Sequence, residues 1–515
     1  MIEASLSHMR SGGKRRVRRC DGGDNRLDSG RALAWFLAIV VLLAGSGYGA
    51  YYFGYLDRFL CESGDCSALD VLPPEDLAFP PARSPEPVLT AADGSPLDAA
   101  KVEAALRPLL TKPVLGKHVG FAVHDLGKDR AAWSYGTGSF TPASTLKLFT
   151  SLAAMSTMDP DRRFETKVVR SDDGPGGGDT ADITIVGGGD PLLATRSPKA
   201  SDRVYPQPAT LAALAAKTAK SLQDQGLARV RLSYDVSMFT GPAVNARWEP
   251  QYVTGNVTTP VSALWADEGV LDDKTGVRSR TPGLDAAKAF ARALKARSIT
   301  VQGGPAKTTG FAQGTSDGSG DGSGVQLASV SSPTLTQIVQ HLLESSDNES
   351  AEVLLRHVAI AAGEEPSFDG GVRAMRGALT GIGVPWTGNT IYDGSGLARG
   401  NKVTTASMLS VLAHAADADN APDRAVVTDL PIAGFNGSLT SRFAARGTDA
   451  GLGVVRAKTG TLTGVHSLAG LTRDRSGTPV AFVVLTDKVK LRDTLAARAT
   501  LDRIAARLAA CACSR

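Results

Sequence analysis

Apolar side chains follow helical and strand periods at both ends of the chain beyond residue 96. Residues 97–112 predict a helix, and the apolar runs at 119–125 and 131–136 predict two strands. Near the C-terminus, 466–474 and 479–487 predict a hairpin. A last helix over 491–510 follows, with apolar positions Leu495, Leu501, Ile504 and Leu508. This order predicts an α/β domain whose sheet joins strands from both ends, built from residues 97–164 and 336–510.

The middle of the chain has a different pattern. Residues 165–335 contain short strand-like runs at 166–171, 182–188 and 229–235, one or two Ala-rich helices, and a Gly/Ser/Asp tract at 314–324. That tract is typical of a solvated loop. We interpret 165–335 as an inserted, β-rich domain or pair of domains.

The front of the chain predicts a membrane anchor. No charged residue occurs over 32–56, which is just long enough to span a bilayer as a helix. The basic tail of 1–31 places the N-terminus in the cytoplasm and the rest outside the cell membrane, in the wall. A cleaved secretory signal is the alternative. The Pro-rich residues 57–96 predict an extended stalk.

Composition narrows the classes of protein. With 515 residues, 42% hydrophobic and 21% charged, the chain is neither disordered nor fibrous, and its length predicts two or three domains. The formal net charge of +4 arises entirely in the tail of 1–31, which contains eight basic and four acidic side chains. The rest is formally neutral, so bulk charge gives no reason to expect a nucleic-acid partner.

The predicted export determines the redox state that we expect for each of the five cysteines. Cys20 lies on the cytoplasmic side, where it stays reduced, whereas Cys61, Cys66, Cys511 and Cys513 lie outside, where disulfides persist. Four cysteines allow three pairings, which the sequence does not distinguish. A bridge between Cys511 and Cys513 would close a very tight ring, so we favour links from the stalk pair to the C-terminal pair.

Three short motifs carry candidate chemistry. Ser144 and Lys147 form S-x-x-K at a predicted helix start, where the lysine lies one turn after the serine and can take its proton. Ser346 and Asn348 form S-x-N before an apolar helical run, and Lys458 begins a K-T-G after a strand-like run. Alone, S-x-x-K is more typical of an ordinary helix start and K-T-G of a turn at a strand edge, whereas S-x-N is equally typical of a helix cap. In this order they form the set of penicillin-binding proteins and serine β-lactamases.

With these motifs, the chain resembles the class C low-molecular-mass penicillin-binding proteins, the D-alanyl-D-alanine carboxypeptidase/endopeptidase family, over about residues 97–510. The resemblance also rests on the segments V-G-G-G-D-P-L at 186–192, D-G-S-G-L-A-R at 393–399 and G-F-N-G-S-L at 434–439. It implies a β-lactamase/transpeptidase-like fold, with an antiparallel sheet and helices on both faces. The separation of 202 positions between Ser144 and Ser346 fits the insertion. The anchor and basic tail depart from family members that have cleaved signals.

The resemblance implies a catalytic role for each motif residue. Ser144 is the nucleophile and Lys147 its base, Ser346 and Lys458 pass the proton to the leaving D-Ala, and Asn348 holds the substrate amide. Lys458 and Thr459 bind the terminal carboxylate, and Thr461 contributes an oxyanion-hole N–H with Ser144. At Gly460 a Cβ would crowd the substrate. The implied substrate is a peptidoglycan stem peptide ending in D-Ala-D-Ala, and β-lactams are the implied inhibitors.

Other residues have weaker signals. A guanidinium in a Gly-flanked loop can grip a carboxylate, so Arg399 is a candidate for binding the third residue of the stem peptide. Solvation is the alternative. Asp190 and Asp393 are typical caps of Gly turns, and Tyr392 has no assigned role. The seven His show no ligand spacing, and we expect no metal or cofactor.

The leading hypothesis is therefore a membrane-anchored serine D-Ala-D-Ala carboxypeptidase, with possible endopeptidase activity. A serine β-lactamase would use the same residues with faster deacylation. A non-catalytic wall-binding protein of the same fold and a cross-linking transpeptidase are the remaining alternatives.

Overall fold

The computed structural model describes residues 96–171, 180–199, 204–272, 274–311, 324–417 and 419–514. The predicted tail, anchor and stalk, together with Cys20, Cys61 and Cys66, lie outside these ranges and stay predictions. Within the described ranges, no helix has both the length and the apolar character needed to cross a bilayer. The Gly/Ser/Asp tract lies outside them too, except for Gly324, which begins a strand.

The strands and helices of these ranges are numbered in chain order. The strands are β1 Val119–Asp125, β2 Arg130–Tyr135, β3 Ser139–Phe140, β4 Glu165–Ser171, β5 Thr180–Val186, β6 Arg229–Asp235, β7 Val270–Asp272, β8 Val277–Arg278, β9 Thr300–Thr308, β10 Gly324–Ser331, β11 Val403–Thr404, β12 Arg456–Leu462, β13 Val465–Arg473 and β14 Pro479–Thr486. The α-helices are α1 Ala99–Leu110, α2 Lys147–Thr157, α3 Leu211–Asp224, α4 Gln251–Thr254, α5 Pro282–Lys295, α6 Leu335–Ser345, α7 Asn348–Ala361, α8 Phe368–Gly381, α9 Thr405–Ala416, α10 Ala425–Thr428 and α11 Thr494–Ala510.

The main sheet has the order β12-β13-β14-β1-β2, and every neighbouring pair is antiparallel. Strands from both ends of the chain therefore meet where β1 pairs with β14, as the apolar pattern predicts. The helix predicted at 97–112 is α1, and the predicted hairpin is β13–β14. The antiparallel sheet of the predicted α/β fold class is confirmed.

Both faces of this sheet are buried, which explains why its central strands are almost continuously apolar. Because side chains alternate along a strand, Phe482 and Val484 pack with α1 and α11, whereas Val483 and Leu485 pack with α2 and α6–α9. The sheet is thus the middle layer between two groups of helices. The outer edge of β12 pairs with Pro431 and Ile432 at its start, and the strand lies beside the turn that precedes α2.

Residues between 165 and 331 build a second five-stranded sheet, of order β10-β4-β5-β6-β9. Its predicted strands β4, β5 and β6 are present, but the sheet is mixed, because β5–β6 and β6–β9 are parallel. Helices α3 and α5 pack against it. The inserted part is therefore α/β rather than simply β-rich. The exact domain limits stay a prediction.

Three of the four apolar positions named in the last helix face the protein interior. Leu501, Ile504 and Leu508 are buried, whereas Leu495 is 76% exposed. At 3.6 residues per turn, position 495 lies on the opposite side of α11 from the other three. Its leucine therefore faces away from the sheet.

The favoured disulfide pairing is also wrong at its C-terminal end. The structure joins Cys511 to Cys513, with Cα atoms 5.0 Å apart. Helix α11 ends at Ala510, and the non-helical chain that follows lets these two side chains meet despite the tight ring. Neither sulfur is then available to the stalk cysteines.

A buried ion pair fastens α11 to the loop before β12. The guanidinium of Arg442 donates to both carboxylate oxygens of Asp502, at 2.6 and 3.0 Å, and both side chains are less than 10% exposed. Arg231 and Asp182 form the same two-bond pair on the exposed surface of the second sheet. The two pairs differ chiefly in burial.

We expect Asp502→Ala to lower the free energy of unfolding by about 3 kcal/mol, because it leaves a buried guanidinium without its partner. Asp182→Ala is the matched control and should cost less than about 1 kcal/mol, because water solvates the freed Arg231. Thermal denaturation of both variants measures the difference. Equal losses would contradict the role assigned to burial.

Candidate active site

The S-x-x-K motif forms a tight turn rather than the first turn of an α-helix. Ala143–Leu146 is a 3-10 helix, and α2 begins at Lys147. Ala143 has φ = 49°, a left-handed conformation that is costly for a residue with a side chain. Gly396 lies against this turn so closely that a Cβ on it would meet the Ala143 carbonyl oxygen at 1.9 Å. The turn holding Ser144 is therefore fixed by the D-G-S-G loop.

Lys147 is fully buried and binds three different parts of the chain. Its Nζ lies 3.0 Å from Ser144 Oγ, 2.8 Å from Asn348 Oδ1 and 2.8 Å from the Ser395 carbonyl oxygen. The first contact lies within the S-x-x-K motif, and the second joins that motif to S-x-N. The third comes from the D-G-S-G loop. An ammonium or amine at this position is held within hydrogen-bond distance of the serine hydroxyl.

Burial lowers the pKa of Lys147 to about 8, because removing the ammonium from water disfavours its charge. Negative charge on Asp347, Glu352 and Asp393 opposes this shift. A lysine with this pKa is partly neutral near pH 8. It can therefore accept the proton of Ser144, which an ordinary lysine would do poorly at that pH.

The S-x-N motif connects two helices. Ser346 ends α6 with φ = 65°, and Asn348 begins α7. Between them, the carboxylate of Asp347 caps α7 by accepting a hydrogen bond from the Glu349 N–H at 2.8 Å. The turn is therefore both a helix cap and part of the catalytic cluster. It caps α7, and it presents Ser346 and Asn348 to the two buried lysines.

Lys458 is the second fully buried lysine, and it lies in β12, the edge strand of the main sheet. Its Nζ donates to Ser346 Oγ at 2.7 Å and to the Thr459 carbonyl oxygen at 3.1 Å. Burial lowers its pKa well below the ordinary value, and the positive charge of Lys147 lowers it further. The three motifs therefore meet in one cluster: Ser144 with Lys147 and Asn348, and Ser346 with Lys458.

Strand β12 also carries the other K-T-G residues. Thr459 Oγ1 donates to Ser438 Oγ at 3.0 Å, which ties the strand to the G-F-N-G-S-L segment. Thr461 is exposed further along the strand. A Cβ on Gly460 would meet Ser467 Oγ at 2.1 Å and the Pro142 carbonyl oxygen at 2.6 Å. Contacts within the protein therefore require glycine at position 460, in addition to any contact with substrate.

Sequence reasoning missed three residues that hold this cluster together. Ser395 supplies its carbonyl oxygen to Lys147, and the fully buried Glu352 accepts hydrogen bonds from the Gly394 and Ser395 N–H groups at 2.8–3.1 Å. Trp248, from the segment between the two halves of the main sheet, donates to Asp393 at 2.8 Å. A glutamate directly before the apolar residues 353–355 was the available signal for Glu352. No motif marks Trp248.

The capping prediction for Asp393 is confirmed. Its carboxylate accepts hydrogen bonds from the N–H groups of Gly396 and Ala398 and from the Asn401 side chain. Asp190 likewise caps a turn through the Leu192 N–H at 2.9 Å, while burial raises its pKa to about 7. Tyr392 lies under the Arg247 guanidinium, 4.6 Å from ring centroid to Cζ.

Arg399 lies at the margin of the cluster with its guanidinium already engaged. Its Nε donates to the Glu249 carboxylate and its Nη1 to the Thr463 carbonyl oxygen, the latter at 2.9 Å. The carboxylate that it binds in this structure thus belongs to the protein. A substrate carboxylate would have to displace or share Glu249, so this assignment stays a prediction.

A serine beside a buried lysine of lowered pKa, with a second lysine–serine pair next to it, defines a serine enzyme of acyl transfer. Comparison with known proteins gives the family. The model of the "D-Ala-D-Ala carboxypeptidase 3 (S13) family" matches residues 102–276 and 271–508. The chain belongs to this family, as its motifs predict.

Named relatives and solved structures agree with that assignment. The chain is 32% identical to "Carboxypeptidase Rv3627c" of Mycobacterium tuberculosis, covering 84% of this chain and 90% of that protein. It is 32% identical to "Carboxypeptidase DacB" of Mycolicibacterium smegmatis, covering 87% and 91%. The crystal structure of penicillin binding protein 4 from Haemophilus influenzae has a TM-score of 0.61 at 21% identity, covering 79% of this chain and 98% of that one. This last likeness shows the fold.

We expect Gly460→Ala to destabilise the protein by about 2 kcal/mol, because the new methyl group must displace Ser467 or the turn before Ser144. Gly304→Ala is the control, since a Cβ at that strand position meets no atom within 4 Å. Thermal melting compares the two variants. Wild-type stability in Gly460→Ala would contradict the packing argument.

Proposed function

We propose that this protein is a serine D-Ala-D-Ala carboxypeptidase that removes the terminal D-Ala from peptidoglycan stem peptides through an acyl-enzyme on Ser144. The observation that carries the proposal is the 3.0 Å contact between Ser144 Oγ and the Nζ of Lys147, whose pKa is lowered to about 8. Membership of the D-Ala-D-Ala carboxypeptidase family supports the same substrate class.

The first step is attack of Ser144 Oγ on the carbonyl carbon of the penultimate D-Ala. Neutral Lys147 takes the hydroxyl proton as the C–O bond forms, and the carbonyl oxygen becomes a tetrahedral oxyanion. The N–H groups of Ser144 and Thr461 are the proposed donors to that oxyanion. Each donor of this kind is worth about 2.7–4 kcal/mol in the transition state. Gly460 packs against the Ser144 N–H side of the turn, which keeps strand and turn adjacent.

The second step breaks the peptide C–N bond. The leaving amine of D-Ala must gain a proton, and the hydroxyl of Ser346 is placed to pass one from Lys458 at 2.7 Å. Mutual repulsion of the two buried lysines favours a state in which only one is charged. A proton accepted at Lys147 therefore favours release of one at Lys458.

Hydrolysis then completes the cycle. A water molecule attacks the ester carbon of the acyl-enzyme, and its proton passes through Ser346 to the neutral Lys458. The proton that Lys147 took in the first step returns to Ser144 Oγ as the ester bond breaks, which restores both lysines to their starting states. Lys458 and Thr459 are the proposed binders of the substrate's terminal carboxylate, and Asn348 of its amide. The exposed edge of β12 offers backbone groups to an extended peptide.

β-Lactams are the proposed inhibitors, since a solved structure of the Haemophilus influenzae penicillin binding protein 4 is described as complexed with a novel β-lactam. In this chain, Ser144 would open the lactam ring as it opens the peptide bond. Slow hydrolysis of the resulting ester would leave Ser144 blocked. Rapid turnover of a labelled penicillin would instead favour the β-lactamase alternative.

Ser144→Ala should abolish D-Ala release from a stem peptide ending in D-Ala-D-Ala, with a loss of about 10⁶-fold or to background, because no other group forms the ester. Labelling by fluorescent penicillin should disappear with it. Ser156→Ala is the matched control, because this exposed serine lies on the same helix and bonds only its own turn. Normal activity in Ser144→Ala would refute the proposal.

The second-order rate of acylation by penicillin should rise with pH about tenfold per unit and level off above pH 8. Only the neutral amine of Lys147 accepts a proton, and its fraction grows until the pH passes the lowered pKa. Glu352→Gln should move the midpoint to lower pH, because it removes a negative charge that raises this pKa. Stopped-flow acylation measures both profiles, and a flat wild-type profile would argue against Lys147 as the base.

A further inference from the structure

Three metal-ligating side chains converge next to the S-x-N turn, from three distant places in the sequence. Glu268 comes from a 3-10 turn before β7, His341 from α6, and Asp347 from the turn between α6 and α7. One ligand atom from each lies within 4.8 Å of the other two. His341 Nε2 and a Glu268 carboxylate oxygen are 3.8 Å apart.

The carboxylate of Asp347 has capacity left for a ligand. The residue is only 8% exposed, and its Oδ1 accepts the hydrogen bond that caps α7. Its Oδ2 has no hydrogen-bond partner anywhere in the described ranges. A buried carboxylate oxygen without a donor is unfavourable, because it has lost its hydrogen bonds to water and no protein donor replaces them. A bound cation would satisfy it.

The donor set selects the kind of cation. One imidazole nitrogen with two carboxylate oxygens is a set that binds Zn²⁺, whereas Mg²⁺ and Ca²⁺ prefer oxygen alone. Ligands of a tetrahedral zinc ion lie about 3.3 Å apart, given bonds of about 2.0 Å. The 3.8 Å between His341 and Glu268 needs only a small movement to reach that spacing.

We propose that Glu268, His341 and Asp347 bind one Zn²⁺ ion, with water completing its coordination. The side chains of Glu268 and His341 are 28% and 29% exposed, which gives the ion a route from solvent. This site is separate from the acyl-transfer cluster, and no step of the proposed reaction passes through it. Its role is structural.

Neighbouring charges permit a cation here. Arg278 is the nearest positive group, with Nη2 at 3.9 Å from the Glu268 carboxylate. Its Nη1, however, is held at 2.9 Å from the Glu349 carboxylate and at 3.0 Å from the Glu268 backbone carbonyl oxygen. The guanidinium thus lies beside one of the proposed ligands, with its shortest contacts to Glu349 and to the Glu268 backbone. The two carboxylates of the site carry more negative charge than this one positive group offsets.

Zinc at this place would link the inserted part to the catalytic turn. Glu268 belongs to the segment between the two halves of the main sheet, whereas Asp347 lies between Ser346 and Asn348. The link would hold the turn in the conformation that presents Ser346 to Lys458. Metal binding is thus expected to increase thermal stability and to leave acylation of Ser144 possible.

The test uses full-length protein without a polyhistidine tag, stripped with a chelator, incubated with Zn²⁺, Mg²⁺ or Ca²⁺ and desalted. Elemental analysis should find about one zinc per chain in the wild type and none in His341→Ala or Glu268→Gln. Zn²⁺ should raise the melting temperature of the wild type but of neither of these two variants. Both variants alter partly exposed side chains, so they are expected to fold, and penicillin labelling of Ser144 checks that independently.

His414→Ala is the matched control, because His414 forms a similar His–carboxylate pair with Asp423 at 3.0 Å on another helix. It should keep the zinc and the rise in melting temperature. Absence of zinc uptake, or equal uptake and stabilisation in His341→Ala and Glu268→Gln, would overturn the proposal. Uptake of Mg²⁺ or Ca²⁺ in place of zinc would overturn the choice of metal.

Discussion

Two fully buried lysines are the constraint on which this structure depends. Within the described ranges, neither Lys147 nor Lys458 has a carboxylate as a salt-bridge partner. Lys147 donates to hydroxyl, amide and carbonyl oxygens, and Lys458 donates to a hydroxyl and a carbonyl oxygen. Burying an amine without a counter-ion lowers its pKa and makes it a base. Every neighbouring element must therefore supply an oxygen at a fixed position.

The inserted part helps to supply that rigidity. Trp248 holds Asp393, whose loop carries the Ser395 carbonyl oxygen bound by Lys147. The Thr259 N–H donates to Glu349 on the first turn of α7, beside Asn348. Residues between the two halves of the main sheet thus orient the catalytic turns, and the proposed zinc ion would add a third link of this kind.

Many elements of the fold and the motif residues of the site were predictable from local sequence patterns. Strands β1, β2, β13 and β14 and helices α1 and α11 follow from apolar periodicity, because a central strand or a packed helix face must be apolar wherever it is buried. The motif residues were predictable because proton transfer needs particular groups at fixed spacing. The exposure of Leu495 was not evident from the pattern, since a leucine need not lie on the buried face of its helix. The disulfide between Cys511 and Cys513 depended on how the chain leaves α11.

The sequence by itself determined the elements, the three motifs and the family, since each is written in contiguous residues. Only the tertiary structure decided which distant side chains meet. Lys147 contacts Asn348 across 201 positions, and Lys458 contacts Ser346 across 112. The seven histidines show no ligand spacing along the chain, yet folding brings His341 to Glu268 and Asp347. Spacing records neighbours along a helix or strand, whereas these contacts depend on how separate elements pack.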